Sequence, residues 1–293
     1  VCGDGLGGLR IAAVIWPALW LLLPSIIFLG LFTYWPVVQV TFASLMVGER
    51  LGLGNYVRLA ADPHFATAAL NNIFYAVGTI IPSLALALGF ALALSESGRF
   101  TAFLRTILVF PLLIPLVAAA ALFIFILLPG EGLLDRWLAP FGLGQTNWLG
   151  NPSLALGAII GITIWKNVGY YMLFFLAGLQ GIPADLHEAA RLENASAMQR
   201  FCRITWPLLK PTLAFVVVIA AMNVLTQVDH IVVMTQGGPS DSTNVLLYYI
   251  YQQAEQNNDR GLAAAATVVS VAALLAISLV SLRSIERGIH YES

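Results

Sequence analysis

Charge is what this sequence has least of. Its 293 residues include 14 basic and 15 acidic side chains, and 59% of the chain is hydrophobic, whereas a soluble domain is about a quarter charged. Mean hydropathy is +0.84, so lipid is the solvent for most of the chain. With a net charge of −1 and basic residues scattered between apolar runs, nothing here suits a phosphate backbone, which needs clustered Lys and Arg; no nucleic-acid partner is expected. Cysteine is scarce as well. Cys2 and Cys202 are the only two, at the N-terminus and in a charged stretch, which suits neither a disulfide framework nor a zinc cluster.

Catalytic motifs are missing too. The two lysines, Lys166 and Lys210, follow Trp165 and Leu209, so there is no Gly-Lys-Ser/Thr to cradle phosphates. His187-Glu188-Ala189-Ala190-Arg191 lacks the second imidazole of a zinc-protease helix, which removes the basis for a metal site. No Gly-x-Ser-x-Gly elbow occurs. A non-catalytic chain without cofactors or metal is expected.

What is present is a series of long apolar runs. A spanning helix needs about 20 mostly apolar residues, and six segments qualify: Ile11 to Tyr34, Ala68 to Leu94, Phe103 to Leu128, Leu154 to Leu176, Thr212 to Met234 and Gly261 to Leu282. Pro24, Pro82, Pro111 and Pro115 in or near these runs predict kinks. The first run is too long for a signal-peptide core and has no small-residue cleavage site after it, so it is expected to stay as an anchor. The chain begins with Val1, so an N-terminal tail is expected to be missing. Nine Lys and Arg, at 10, 99, 105, 191, 200, 203, 210, 283 and 287, fall on one side of this arrangement and four, at 50, 58, 136 and 260, on the other. Positive charge marks the cytoplasmic face, which predicts cytoplasmic termini.

Residues Gly52 to Phe65 and Pro129 to Pro152, rich in Gly, Pro, Asn and Trp, read as connectors on the opposite membrane surface or as contacts for an external partner. Gly157 with Gly161, and Ala85 with Gly89 and Ala93, are small-xxx-small patterns that predict close helix packing. Lys166 and Asn167 in the fourth run, and Asn223, Thr226, Gln227, Asp229 and His230 in the fifth, are polar groups at membrane depth. Such groups normally face a protein interior or a wet cavity. Three readings stand: they line a pathway, Lys166 and Asp229 pair to hold helices together, or Asp229 and His230 mark the end of a span.

Seven of the 29 charged residues lie in one stretch, Ile182 to Lys210. Pro183 suits a first helical turn, and Asp185 sits favourably near the positive end of a helix dipole. Leu186, Ala189, Ala190 and Ala197 make a small apolar face, while Pro207 and Pro211 limit continuation. This is a short helix that another protein can approach closely.

In this stretch the chain resembles the membrane subunits of bacterial ATP-binding-cassette importers, in particular the carbohydrate-uptake group. Their cytoplasmic signature opens with Glu-Ala-Ala, as do Glu188, Ala189 and Ala190 followed by Arg191. It closes on Ile-x-Leu-Pro, matched by Ile204, Thr205 and Pro207 with Trp206 in place of Leu. Asn194 stands where the family has Gly, and Asn is among the few other residues that tolerate a left-handed backbone. Gly54-Asn55-Tyr56 with Asp62-Pro63, the run Phe175 to Pro183, and Gly237-Gly238-Pro239 with Thr243 extend the likeness.

The resemblance implies an all-α membrane protein: a single permease domain over 1–293, six transmembrane helices, and a cytoplasmic coupling loop at 182–210 between the fourth and fifth spans. It implies a bacterial cytoplasmic-membrane location and four kinds of partner: a second homologous permease subunit, two cytoplasmic ATPase subunits, an external substrate-binding protein and membrane lipid. Glu188, Ala189, Ala190, Arg191, Asn194, Ile204 and Pro207 would couple to the ATPase; Lys166, Asn167, Asn223, Gln227 and Asp229 would border the path. A sugar, a small oligosaccharide, glycerol phosphate or a glycerophosphodiester all fit as cargo. Trp165, Tyr170 and Tyr171 either stack on a sugar or pack internally. The competing reading is a self-contained secondary transporter or channel using Lys166 and Asp229 as an ion or proton relay.

Overall fold

The computed structural model describes residues 21–142 and 144–286. Helix α1 (Leu21–Leu45) leads through a tight hairpin, β1 (Met46–Val47) against β2 (Arg50–Leu51), into α2 (Gly54–Ala61) and α3 (Pro63–Ala93). Then come α4 (Arg99–Leu113), α5 (Leu116–Ile126), α6 (Leu133–Leu138) and α7 (Pro152–Gln180). The second half holds α8 (Ala184–Leu192), α9 (Ala197–Arg200), α10 (Trp206–Thr226), α11 (Asp229–Met234), α12 (Leu246–Tyr251) and α13 (Arg260–Glu286).

Among the described residues, α1, α3, α7 and the run Ala197–Met234 are each long and apolar enough to cross a membrane, and the bent pair α4–α5 makes a fifth. The apolar part of α13, Arg260–Ala276, is shorter. The chain is therefore an all-α membrane protein. Of the predicted first span, residues 11–20 lie outside the described residues, as do Cys2, Arg10 and Arg287. The remainder runs on past Tyr34 to Leu45.

Two of the long helices start with the same device. Asp62 caps α3 by accepting from the His64 N–H at 2.9 Å, and Asn151 caps α7 by accepting from the Ser153 N–H at 3.0 Å. In both, proline follows at the first helical position, where no donor is lost and φ is preset. Between these starts and their other ends, α3, α7 and α10 share the main core, including Ala87, Ala91, Met172, Phe175, Val216 and Ala220. The small-residue pairs do not make this contact. Ala85, Gly89, Ala93, Gly157 and Gly161 face outward on the single chain, because the helical phase set by Leu84, Ala87 and Ala91 points the other way. Among the described glycines the tightest approach is at Gly169, where an added Cβ would lie 1.9 Å from the Leu108 carbonyl oxygen of α4.

The predicted third span is broken. α4 and α5 meet at 101° because Ile114, which precedes Pro115, is extended (φ −79°, ψ 127°), as steric conflict with a following proline ring requires. The predicted fifth span is interrupted as well, without proline and without a bend like that of α4–α5. Gln227 is extended (φ −94°, ψ 103°) between α10 and α11. At its other end this span begins earlier than expected. Pro207 and Pro211 do not halt the helix: a π turn over Phe201–Thr205 joins α9 to α10 ahead of Pro207, which stands in the first turn of α10, and Pro211 lies inside α10.

One end of the bundle carries folded loops rather than bare connectors. Asp135, nearly sealed from solvent, accepts from the Gly130 N–H (2.8 Å), the Thr146 N–H (3.1 Å) and the Trp148 indole N–H (2.6 Å). The Gly130 N–H, helped by Trp148 and Thr146 and opposed by burial, holds the Asp135 carboxyl below its usual range. A depressed carboxyl contributes stability above its unfolded value of ~3.9 and loses it as pH falls through the lower folded value. Asp135→Asn is therefore expected to speed amide hydrogen exchange across 128–150 at neutral pH. The parent loop should keep its protection from about pH 8 to about pH 5 and loosen only below the ordinary carboxylate range.

Candidate docking loop and translocation path

The chain leaves α7 through Gly181, Ile182 and Pro183. Pro183 acts as the N-cap (φ −57°, ψ 130°), and Ala184 is the first helical residue of α8. Asp185 lies in the first turn and Arg191 in the last, each at the end of the helix dipole that favours its charge. Leu186, Glu188, Ala189, Arg191 and Ala197 are exposed, and Ala190 alone of the predicted small face turns inward. Glu188 and Ala189 thus stand on open surface, with Leu186 (43% exposed) and Leu192 (85%) beside them.

Asn194 is left-handed, with φ +56°. Its N–H donates to the Arg191 carbonyl (3.0 Å) and the Ala195 N–H to the Ala190 carbonyl (2.9 Å). This pair of bonds is the Schellman closure of a helix, in which the left-handed residue is most often glycine. Asn194 therefore keeps the turn that the resemblance assigns to glycine.

The turn after Asn194 is closed by a second device that carries a sequence signature. Ser196 and Gln199 form a reciprocal capping box: the Gln199 N–H donates to Ser196 Oγ (3.3 Å) and the Ser196 N–H to Gln199 Oε1 (2.8 Å). Ser-x-x-Gln is its signature. Ile204 falls in the π turn and Pro207 in the first turn of α10, so the closing half of the predicted loop is the root of a long helix.

The polar residues at membrane depth gather around one turn of α7. Lys166 Nζ donates to the carbonyls of Pro111 (2.9 Å), Leu112 (3.1 Å) and Ile114. Those carbonyls belong to the α4–α5 break. No ion pair joins Lys166 to Asp229; the ammonium is taken by the carbonyls freed at the bend, and Asp229 sits exposed in the first turn of α11. Asn167 Nδ2 donates to the Thr163 carbonyl (3.1 Å) and to Gln227 Oε1 (3.3 Å), at the α10–α11 break.

One turn earlier, Thr163 Oγ1, Tyr75 Oη and His230 Nε2 lie 2.9 to 3.2 Å apart, fully buried. His230 is thus an internal strut linking α3, α7 and α11, a role outside both readings the sequence offered for it, pathway lining and the end of a span. Asn223 donates to Tyr171 Oη at 3.1 Å. The aromatics pack internally: Trp165 edge-on to Phe123, Tyr170 edge-on to Phe174, and Tyr171 buried.

The whole arrangement has known counterparts. Residues 83–291 match the family described as binding-protein-dependent transport system inner membrane component. The chain belongs to that family. Such a subunit is a non-catalytic component of a transporter. A probable ABC transporter permease protein, YurN of Bacillus subtilis (strain 168), is 34% identical over 91% of this chain and 95% of its own length. The sn-glycerol-3-phosphate transport system permease protein UgpA of Brucella abortus biovar 1 (strain 9-941) is 31% identical over 92% and 95%. Among solved structures, a chain of a bacterial ABC transporter involved in the import of the acidic polysaccharide alginate superimposes with a TM-score of 0.85 at 25% identity. That match covers 95% of this chain and 98% of the other.

The Asn194 turn makes a direct prediction. Asn194→Gly is expected to leave α8 as stable as before. Asn194→Val forces a β-branched residue into the left-handed region at a cost of roughly 1–2 kcal/mol. Hydrogen exchange of the Ala195 amide reads the difference: protected in the parent and the glycine variant, and faster by roughly five- to thirtyfold in the valine variant.

Proposed function

We propose that this chain forms half of the translocation path of an ATP-driven, binding-protein-dependent importer and receives the motion of a separate ATPase subunit on α8. The observation that carries this reading is a short, exposed, doubly closed helix on a chain without a nucleotide-binding motif. Three residues separate α8 from α7, and a capped turn and a π turn separate it from α10. Leu176 of α7 and Leu209 of α10 share one core. A push on α8 therefore acts on both helices that bear the polar residues, with little slack to dissipate it.

In this reading a second, similar membrane subunit completes the path, two cytoplasmic ATPase subunits seat against the α8 loops, and an external binding protein delivers cargo at the opposite end. Six spans, α13 being the sixth, follow from the apolar runs, and the nine-to-four distribution of Lys and Arg supports both termini and α8 in the bacterial cytoplasm. Asn223, Gln227 and Asp229 border the path, and Lys166 and Asn167 shape it from behind. Amides and a carboxylate suit hydroxyl groups. With the Lys166 ammonium engaged by carbonyls, this subunit fits a sugar or oligosaccharide better than a phosphate, for which the partner subunit would supply the cation.

Glu188→Lys is expected to abolish uptake and the stimulation of ATP hydrolysis by loaded binding protein while the protein remains at normal levels in the membrane. Full transport by that variant would remove the docking role. Asn223→Ala and Asp229→Ala should instead change the KM or rate of uptake with ATPase docking intact.

A further inference from the structure

The two breaks in this bundle are held by consecutive residues of one helix. Lys166 reaches the α4–α5 bend through three carbonyls; Asn167, next in sequence, reaches the α10–α11 break through Gln227. Both side chains are closed off, 7% and 1% exposed, so neither presents surface to cargo. The segments beyond the breaks, α5 and α11, pack against each other.

The two attachments differ in strength. Three carbonyls on an ammonium at the negative end of α4 are charge-assisted bonds in a low-dielectric setting. Gly169, one turn away, brings the α7 and α4 backbones into direct contact, and the two features fix α4 to α7 at adjacent points. Asn167 to Gln227 is a single neutral bond at 3.3 Å, and the backbone at Gln227 is extended with no proline imposing it.

We propose that Lys166 and Asn167 are positioning residues of the transport cycle: Lys166 is a fixed anchor that keeps the α4–α5 bend on α7 throughout. The Asn167–Gln227 contact is a latch that holds the α10–α11 break in the state seen here and releases when α10 is moved from the α8 end. This rests on the importer reading above and adds to it the place where the moving span gives way. Removing either latch partner destabilises this state relative to the other, which raises ATP hydrolysis in the absence of cargo. Removing the anchor takes the charged donor from three carbonyls inside the membrane, of which Pro111 keeps the Ile114 N–H, and a longer cation restores the lost bonds.

The test uses the assembled importer, with its ATPase and binding-protein partners, in proteoliposomes. Asn167→Ala, Gln227→Ala and the double variant are compared for ATP hydrolysis without binding protein and for uptake. Each single change is expected to raise cargo-independent hydrolysis roughly two- to tenfold, with the double variant no higher than either single one. Lys166→Met is expected to lose uptake, and Lys166→Arg to recover most of it.

Additive effects of the two latch changes, or unaltered cargo-independent hydrolysis in both, would overturn the latch. Normal uptake by Lys166→Met would overturn the anchor, as would loss in Lys166→Arg equal to that in Lys166→Met at the same membrane level. Lack of uptake by the unmodified assembly would instead overturn the importer reading and this inference with it. Activity there with additive variants rejects the latch alone.

Discussion

A helix that bends inside a bilayer exposes carbonyls that no water can satisfy, and in this chain one ammonium reaches three carbonyls at the bend, one of which, Pro111, also accepts from the Ile114 N–H. Leaving such groups bare costs several kcal/mol each, and placing a lysine at membrane depth is itself costly unless it is paired. Each problem answers the other at Pro111, Leu112 and Ile114. Arg105 repeats the chemistry at the end of α3, donating from Nε to the Leu94 carbonyl at 3.0 Å. Both cations meet a helix C-terminus, where the dipole favours positive charge. Scarce basic residues in the membrane region thus support backbone.

That constraint organises the rest. Once the bend is fixed to α7, α5 is set across the bundle and meets α11, whose His230 is bonded back to Tyr75 and Thr163. α7 becomes the axis on which both broken spans hang, and its C-terminal end feeds α8 through three residues. In the proposed function, force enters at α8 and is delivered to the helix that holds both breaks. The loops at the opposite end are tied by other means: His64 to Asp241 at 2.7 Å, Arg58 to Asp259, and Tyr249 to Asp62 at 2.6 Å. That face can hold its shape while the other is pushed.

Much of this was legible in the sequence, for physical reasons that also explain what was not. Hydropathy located the four long apolar helices and the bent α4–α5 pair because lipid demands long apolar runs. Asp62-Pro63 was visible as a motif and α8 as a short helix, but the expected small face of Leu186, Ala189, Ala190 and Ala197 is split, with Ala190 turned inward and Ala197 on α9. Asn194 was correctly singled out, since few residues tolerate φ +56°. The break at Gln227 left no trace, because it carries neither proline nor glycine and depends on a partner 60 residues earlier. The role of Lys166 was hidden for the same reason: carbonyls have no sequence signature, so pathway lining and a pair with Asp229 were the readings open to it. The small-residue pairs misled because their pattern is indifferent to helical phase, which the larger core residues of α3 and α7 decide. Pro207 did not end the helix because a π turn just before it changes the register, and Pro211 is carried inside α10.

The account stands on α8 being the surface through which motion arrives. A photoreactive amino acid placed at Ala189, with a second placement at Leu133 on the opposite end of the bundle, tests that in intact membranes. The expected result is an ATP-dependent adduct with an ATP-hydrolysing subunit from position 189 and none from position 133. Adducts with that subunit from Leu133 and none from Ala189 would contradict it.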